Sequence, residues 1–152
     1  MKKLFSNQNS WVLLLLVLLT PLSSCSDDDD GTDPNLVQYN NLPITASQEV
    51  PPNTSTATGT FSGTYNKNTN ILTYTITFTG ITPTSMHFHK GEPGVSGGVE
   101  IGIGSPPYTS PIQDQTPALT TEQEADLLAG RWYVNIHSAA FPGGEIRGQV
   151  VQ

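Results

Sequence analysis

Histidine is the residue type whose spacing most suggests chemistry in this sequence. The chain has only three histidines, and two of them are separated by a single residue. His87 and His89 flank Phe88, and alternate side chains of a strand point to the same side with Cα atoms about 6.6 Å apart. Two such imidazoles can chelate one metal ion. We call His87, His89 and His137 the histidine cluster. Three imidazoles with an open fourth position suit Zn²⁺ or Cu²⁺.

Other polar side chains follow the same alternation as the histidines. In 131–137 the apolar residues occupy even positions, so His137 shares the opposite face with Asn135. Glu145 and Arg147 alternate with apolar neighbours near the end of the chain. If these segments are adjacent strands, all of these side chains converge with His87 and His89 on one face of a sheet.

Two interpretations of this polar face stay open. In the first, the histidine cluster holds Cu or Zn. In the second, Asn135, Glu145 and Arg147 form a structural hydrogen-bonded network with the histidines, and no cofactor is expected. The positive charge of Arg147 supports the second interpretation, because it disfavours a nearby cation.

The sequence offers no good constellation for nucleophilic catalysis or nucleic-acid binding. Ser138 directly follows His137, and adjacent strand residues point to opposite faces, which makes them a poor nucleophile and base pair. The glycines in 91–98 lack the Lys-Ser or Lys-Thr of a phosphate-binding loop. The net charge is −7 without a basic stripe, so nucleic acid is not an expected partner. We expect a protein that is not an enzyme.

The first residues have the features of an export signal. Lys2 and Lys3 precede the apolar run 11–19, which is shorter than the roughly 20 residues a membrane-spanning helix needs. The following Leu-Ser-Ser-Cys, ending at Cys25, resembles the lipobox of bacterial lipoproteins. This resemblance implies a signal peptide at 1–24, acylation of Cys25 and a membrane as partner through the lipid. The alternative is an ordinary secretory signal with an unrelated cysteine.

An acidic segment follows the cysteine. Asp27 to Asp30 come after Cys25-Ser26, within a tether that we place at 25–36. The run is typical of a solvated linker. It also resembles the signal that exports some Gram-negative lipoproteins to the cell surface. We therefore expect an outer-membrane lipid anchor with the domain at the cell surface, the periplasmic face being the alternative.

From about residue 37 the hydrophobic pattern has a period of two. It is clearest at 71–79, where Leu72, Tyr74 and Ile76 alternate with threonines, as in a half-buried antiparallel strand. The turn-forming residues 66–70 predict a hairpin with the preceding strand. The full set of predicted strands is 37–47, 56–65, 71–79, 85–89, 98–103, 131–137 and 145–151.

One short helix interrupts this pattern. Thr121 and Glu124 have the spacing of a capping box, and Gly130 is a natural stop, so we predict a helix over 121–129. The proline-containing segment 104–118 predicts a long irregular crossover. With charged residues at only 12%, these features favour an all-β sandwich with one short helix.

Three sequence blocks resemble the CHRD domain, a module of the developmental regulator chordin and of many bacterial secreted proteins. They are Ala46-Ser47-Gln48-Glu49-Val50-Pro51-Pro52, the H-x-H-x-G-x-x-G block at 87–94, and the block from Leu128 to Ser138 that ends in Phe141 to Gln149. The resemblance covers about residues 37–151. It implies a Greek-key, immunoglobulin-like or Cu/Zn-superoxide-dismutase-like β-sandwich, placed here at 37–152, but no defined chemistry.

Two functions therefore remain as hypotheses. The first is a lipid-anchored extracytoplasmic binding or structural module with an unknown extracellular protein or ligand as partner. The alternative is a metal-binding protein that uses the histidine cluster. The H-x-H spacing is similar to that of Cu/Zn superoxide dismutases, but a dinuclear dismutase site needs more histidines than this chain has and usually a disulfide, which a single cysteine cannot form.

Overall fold

β-Strands whose side chains alternate between two faces dominate the computed structural model, which describes residues 33–152. The predicted signal peptide, Cys25 and the tether up to residue 32 lie outside the described residues. The strands are β1 Leu36–Thr45, β2 Thr58–Asn66, β3 Ile71–Thr79, β4 Pro83–Lys90, β5 Val99–Gly102, β6 Ile112–Gln115, β7 Trp132–Ser138 and β8 Ile146–Val150, with the helix α1 Thr121–Leu128 between β6 and β7. No helix within the described range is long and apolar enough to cross a membrane.

All eight strands form one curled antiparallel sheet with the order β5-β4-β7-β8-β1-β2-β3-β6. The only register pair between β8 and β1 is Thr45 with Arg147, so this seam joins two halves of four strands each. The chain crosses between the halves after β3, β5 and β6. The prediction of an all-β, sandwich-like fold with one short helix is confirmed.

Aromatic side chains from both halves meet in the core. The Phe88 ring of β4 lies edge-on to Phe61 of β2 and Tyr74 of β3, with centroids 5.9 and 5.1 Å apart. On its own half, Phe88 contacts Trp132 at 5.6 Å. Trp132 is itself fully buried. These contacts show which side chains of β4 and β7 point into the core. The alternate residues of both strands therefore face the other side of the sheet.

Two local predictions were wrong. The crossover 104–118 contains an eighth strand, β6, which pairs with β3 at the edge of the sheet. Its residues after Ile112 are polar and exposed, so no apolar alternation marks it in the sequence. The capping box lies one residue earlier than predicted, because Thr120 accepts from the Gln123 N–H while the Gln123 side chain accepts from Thr120. The helix itself is confirmed within one residue of its predicted end.

Candidate functional site

The histidine cluster lies on the face of β4 and β7 that points away from the core. Met86 and Phe88 of β4 are buried in the core, which turns His87 and His89 to the other face. Cross-strand register places Asn135 opposite His87, Tyr133 opposite His89, and His137 opposite Ser85. The predicted adjacency of these strands is therefore present, and β8 lies beside β7 as the third strand of the face.

The three imidazoles approach one another closely. One ring nitrogen from each lies within 4.8 Å of the others, and the Nδ1 of His87 lies 3.2 Å from the Nε2 of His137. Zinc–nitrogen bonds of about 2.1 Å at tetrahedral angles place two ligand nitrogens about 3.4 Å apart. The His87–His137 pair is close to this spacing, whereas His89 would have to move inward from a separation of up to 4.8 Å to complete it.

Backbone carbonyls fix the orientation and tautomer of two of the rings. The Nδ1 of His89 lies 3.1 Å from the Gly97 carbonyl oxygen, and the Nδ1 of His137 lies 3.1 Å from the Pro142 carbonyl oxygen. Carbonyl oxygens only accept hydrogen bonds, so each Nδ1 carries the proton and each Nε2 presents a lone pair. Metal-ligating histidines characteristically have such an outer hydrogen bond on their second nitrogen.

The Nε2 of His89 is the least satisfied atom of the cluster. His89 is only 8% exposed, and its Nε2 is fully buried without a hydrogen-bond partner among the described residues. The Nε2 of His137, in contrast, accepts from the Nδ1–H of His87. A cation between the rings would replace that proton and also use the lone pair of His89.

Burial keeps the cluster neutral. It lowers the pKa of His87, whose neighbour His89 lowers it further. Burial also lowers the pKa of His89, with a smaller lowering from Arg147 and an opposing hydrogen bond to Gly97. His137 follows the same pattern, with burial as the main cause and the Pro142 carbonyl opposing it. Neutral imidazoles at physiological pH are the form that binds metals.

Arg147 is separated from the nearest histidine by an aromatic ring. Its guanidinium lies 3.5 Å from the Tyr133 ring centroid, and Tyr133 stacks on His89 at 5.0 Å with an interplanar angle of 14°. The guanidinium donates to the carbonyl oxygens of Glu92 and Val95 and to Gln149 Oε1. Arg147 is thus held by its own acceptors and does not occupy the space between the histidines.

Of the residues predicted to form one polar network, Asn135, Glu145 and Arg147, the last two have separate hydrogen-bond partners in the structure. Glu145 accepts from the hydroxyls of Ser55 and Ser138. The carboxylate that acts electrostatically on Arg147 is Glu49. Asn135 lies in the centre of the face, opposite both His87 and Arg147 in register. The three predicted residues are close neighbours, but the hydrogen bonds of Glu145 and Arg147 go to other residues.

No role was predicted for Glu49 from the sequence, although it lies in the CHRD-like block from Ala46 to Pro52. It is 7% exposed and adjoins Asn135 and Arg147. Residue type gave no signal of its burial, because the Val50-Pro51-Pro52 that follows is itself exposed. The carbonyls of Gly97 and Pro142 were also missed, and backbone acceptors leave no trace in residue type.

Comparison with known proteins identifies the family of this chain. A profile of the CHRD domain matches residues 41–150. Neither curated proteins nor solved structures gave a significant match. The matched range begins within β1 and ends at the last residue of β8, and it includes the whole histidine cluster. The chain therefore belongs to the CHRD domain family.

Proposed function

We propose that this CHRD domain binds one Zn²⁺ or Cu²⁺ ion through His87, His89 and His137. Membership of the family supports a binding or structural module, and metal binding is the specific role that the geometry of this face supports best. Two observations carry the proposal: one ring nitrogen from each of the three histidines lies within 4.8 Å of the others, and the buried Nε2 of His89 has no partner among the described residues.

A purely structural role explains this arrangement less well. A structural network satisfies its buried polar atoms, because each unsatisfied one costs about 1–3 kcal/mol. Here two carbonyls hold the Nδ1–H groups of His89 and His137, so the Nε2 of each ring carries a lone pair. That of His137 accepts from His87, whereas that of His89 has no partner among the described residues, and a bound cation would use both lone pairs.

Cobalt titration tests the proposal directly. Because the three histidines of the cluster are all that the chain contains, nitrogen-ligand d–d bands from bound Co²⁺ would report on this cluster alone. We expect saturation at a single ion per chain and displacement by Zn²⁺. The variant His89→Phe keeps a ring stacked on Tyr133 but removes both nitrogens, and should weaken binding by about tenfold or more.

Ser85→Ala provides the matched control. Ser85 lies on β4, opposite His137 in register, and supplies no nitrogen ligand. It should leave the Co²⁺ spectrum and affinity unchanged. Absence of Co²⁺ bands in the wild-type protein, or equal bands in the wild type and in folded His89→Phe, would leave the structural interpretation in place.

We also propose that Cys25 anchors the domain to the outer membrane by lipid, with the domain at the cell surface. The sequence around Cys25 and the acidic run at 27–30 support this. Labelled palmitate should enter the wild-type protein but not Cys25→Ala. Protease added to intact cells should digest the domain, and replacing the four aspartates by alanine should protect it. Palmitate in Cys25→Ala would contradict the anchor, and protection of the wild type would indicate the periplasmic face.

A further inference from the structure

The loop 91–98, which follows β4, contacts His89 through the backbone of Gly97. The Gly97 carbonyl oxygen lies 3.1 Å from the Nδ1 of His89 and accepts its proton in a hydrogen bond. The N–H of the same glycine donates to the hydroxyl oxygen of Tyr133 at 3.0 Å. His89 and Tyr133 therefore engage the two backbone groups of one loop residue.

Tyr133 also contacts His89 directly. The two residues lie opposite each other on β4 and β7, and their rings stack at 5.0 Å with an interplanar angle of 14°. Tyr133 is only 2% exposed, so its ring and hydroxyl have little freedom to move. The ring of Tyr133 thus sets the plane of the imidazole, and its hydroxyl fixes the glycine whose carbonyl holds the proton at Nδ1.

The backbone position of Gly97 is available only to glycine. A side-chain carbon added there would lie 1.5 Å from the Lys90 carbonyl oxygen, which is far inside any non-bonded contact. Gly91, at the start of the loop, is also confined, because an added carbon would lie 3.0 Å from the Tyr133 ring. A larger residue at 97 would therefore displace the carbonyl oxygen that His89 uses.

Side chains of β8 hold a different part of the loop. Arg147 and Gln149 donate hydrogen bonds to the carbonyl oxygens of residues 91, 92 and 95. These bonds do not reach Gly97. Within the described residues, the side chains that hydrogen-bond to the Gly97 backbone are those of Tyr133 and His89. This separates the role of Tyr133 from that of the β8 side chains.

We propose that Tyr133 is a positioning residue of the metal site, which holds His89 in the orientation and tautomer that present its Nε2 lone pair. The inference rests on the proposed function, since this lone pair matters only as a metal ligand. His89 is the ligand that most needs such support, because its Nε2 has no partner, whereas His87 and His137 bond to each other. Residues that orient a metal ligand from outside typically change metal affinity by about 10- to 100-fold.

Tyr133→Phe and Tyr65→Phe form the matched pair of variants. Each removes the hydroxyl of a buried tyrosine and keeps its ring, but Tyr65 lies on β2, where its hydroxyl donates to Asn70 Oδ1 at 3.3 Å. Nitrogen-15 NMR shifts of the imidazole, recorded with a chelator present, show which nitrogen of His89 carries the proton. We expect Nδ1–H in the wild type and in Tyr65→Phe, and a mixture of both tautomers in Tyr133→Phe.

Cobalt titration of the same three proteins is the second measurement. We expect Tyr133→Phe to weaken Co²⁺ binding about tenfold and Tyr65→Phe to leave it unchanged. An unchanged His89 tautomer or an unchanged affinity in folded Tyr133→Phe, or equal changes in both variants, would overturn the inference. Absence of Co²⁺ bands from the wild type would contradict the proposed function. Bands in the wild type with an unchanged tautomer in Tyr133→Phe would contradict only the role of Tyr133.

The wild-type protein alone decides if Tyr133→Phe does not fold. Hydrogen exchange of the Gly97 amide should be slower than that of the exposed Gly94 in the same loop, because the Tyr133 hydroxyl holds the Gly97 N–H. His89 should carry its proton at Nδ1. Equally fast exchange of the two amides, or a proton at the Nε2 of His89, would overturn the inference.

Discussion

At the scale of single residues, the polar face of β4, β7 and β8 combines satisfied and unsatisfied groups. Arg147 is satisfied, because its guanidinium donates to two carbonyls and one amide oxygen and stacks on Tyr133. The Nε2 of His89 and the Oδ1 of Asn135 are not satisfied within the described residues. This contrast separates a side chain that holds the loops from the His89 nitrogen that the proposed metal ion would use.

Arg147→Ala should destabilise the domain strongly. The change removes a side chain that is only 1% exposed and leaves the Val95 carbonyl and Gln149 Oε1 without their donor, while the Glu92 carbonyl keeps only the Val95 N–H. Each buried acceptor left unpaired costs about 1–3 kcal/mol, so we expect a loss of about 3 kcal/mol or more in the free energy of unfolding. Urea denaturation measures it. A loss below about 1 kcal/mol would show that the 91–98 loop does not depend on this residue.

At the scale of the elements, the narrow seam between β8 and β1 determines how the halves of the sheet meet. Gly148 of β8 faces Ile44 and Pro43 of β1 so closely that an added side-chain carbon would lie 2.8 Å from both the Ile44 Cγ1 and the Pro43 carbonyl oxygen. The seam therefore requires glycine for close approach and not for an unusual backbone angle.

Gly148→Ala should open this seam. Forcing a methyl group into it costs about 1–3 kcal/mol, which thermal and urea unfolding will detect. Gly102→Ala in β5 is the control, since the added carbon meets nothing within 4 Å, and it should change stability by less than about 0.5 kcal/mol. Similar effects of the two substitutions would contradict the close approach of β8 and β1.

Elements with a one-sided apolar pattern could be predicted from the sequence, and those without one could not. β3 has its predicted bounds because Leu72, Tyr74 and Ile76 bury one face. β6 escaped prediction because an exposed edge strand needs no such alternation. The cap of α1 was shifted by one residue because Thr120-Thr121 followed by Gln123-Glu124 satisfies the same rule in two registers.

The candidate site was predictable to a similar extent. Strand parity placed His87 and His89 on one face, and the position of His137 followed once β4 and β7 were adjacent. The carbonyls of Gly97 and Pro142 that orient two of the rings were not predictable, since any residue supplies a carbonyl and loop conformation decides where it points.

At the scale of the whole molecule, the buried histidines link stability to pH. Their pKa values lie below the ordinary 6.5 in the folded state because of burial. Below about pH 6.5 the unfolded chain therefore binds more protons than the folded one, and stability is lost as the pH falls toward the folded-state values.

Urea unfolding between about pH 7.5 and pH 5 should show this loss without metal. His89→Phe should reduce the pH dependence, because one of the three depressed groups is gone. Added Zn²⁺ should raise stability most at the upper end of the range, where the ligands are deprotonated. A flat profile in this range would contradict burial of the neutral histidines.

The most direct test of the proposed function is the metal content of residues 26–152, purified without a histidine tag and titrated with Zn²⁺ and Cu²⁺. The account predicts one tightly held ion per chain, absent from His87→Ala/His89→Ala, and measured by elemental analysis and calorimetry. A folded wild-type protein that holds and takes up no metal, with a variant that is merely less stable, would contradict the account and make the histidine cluster structural.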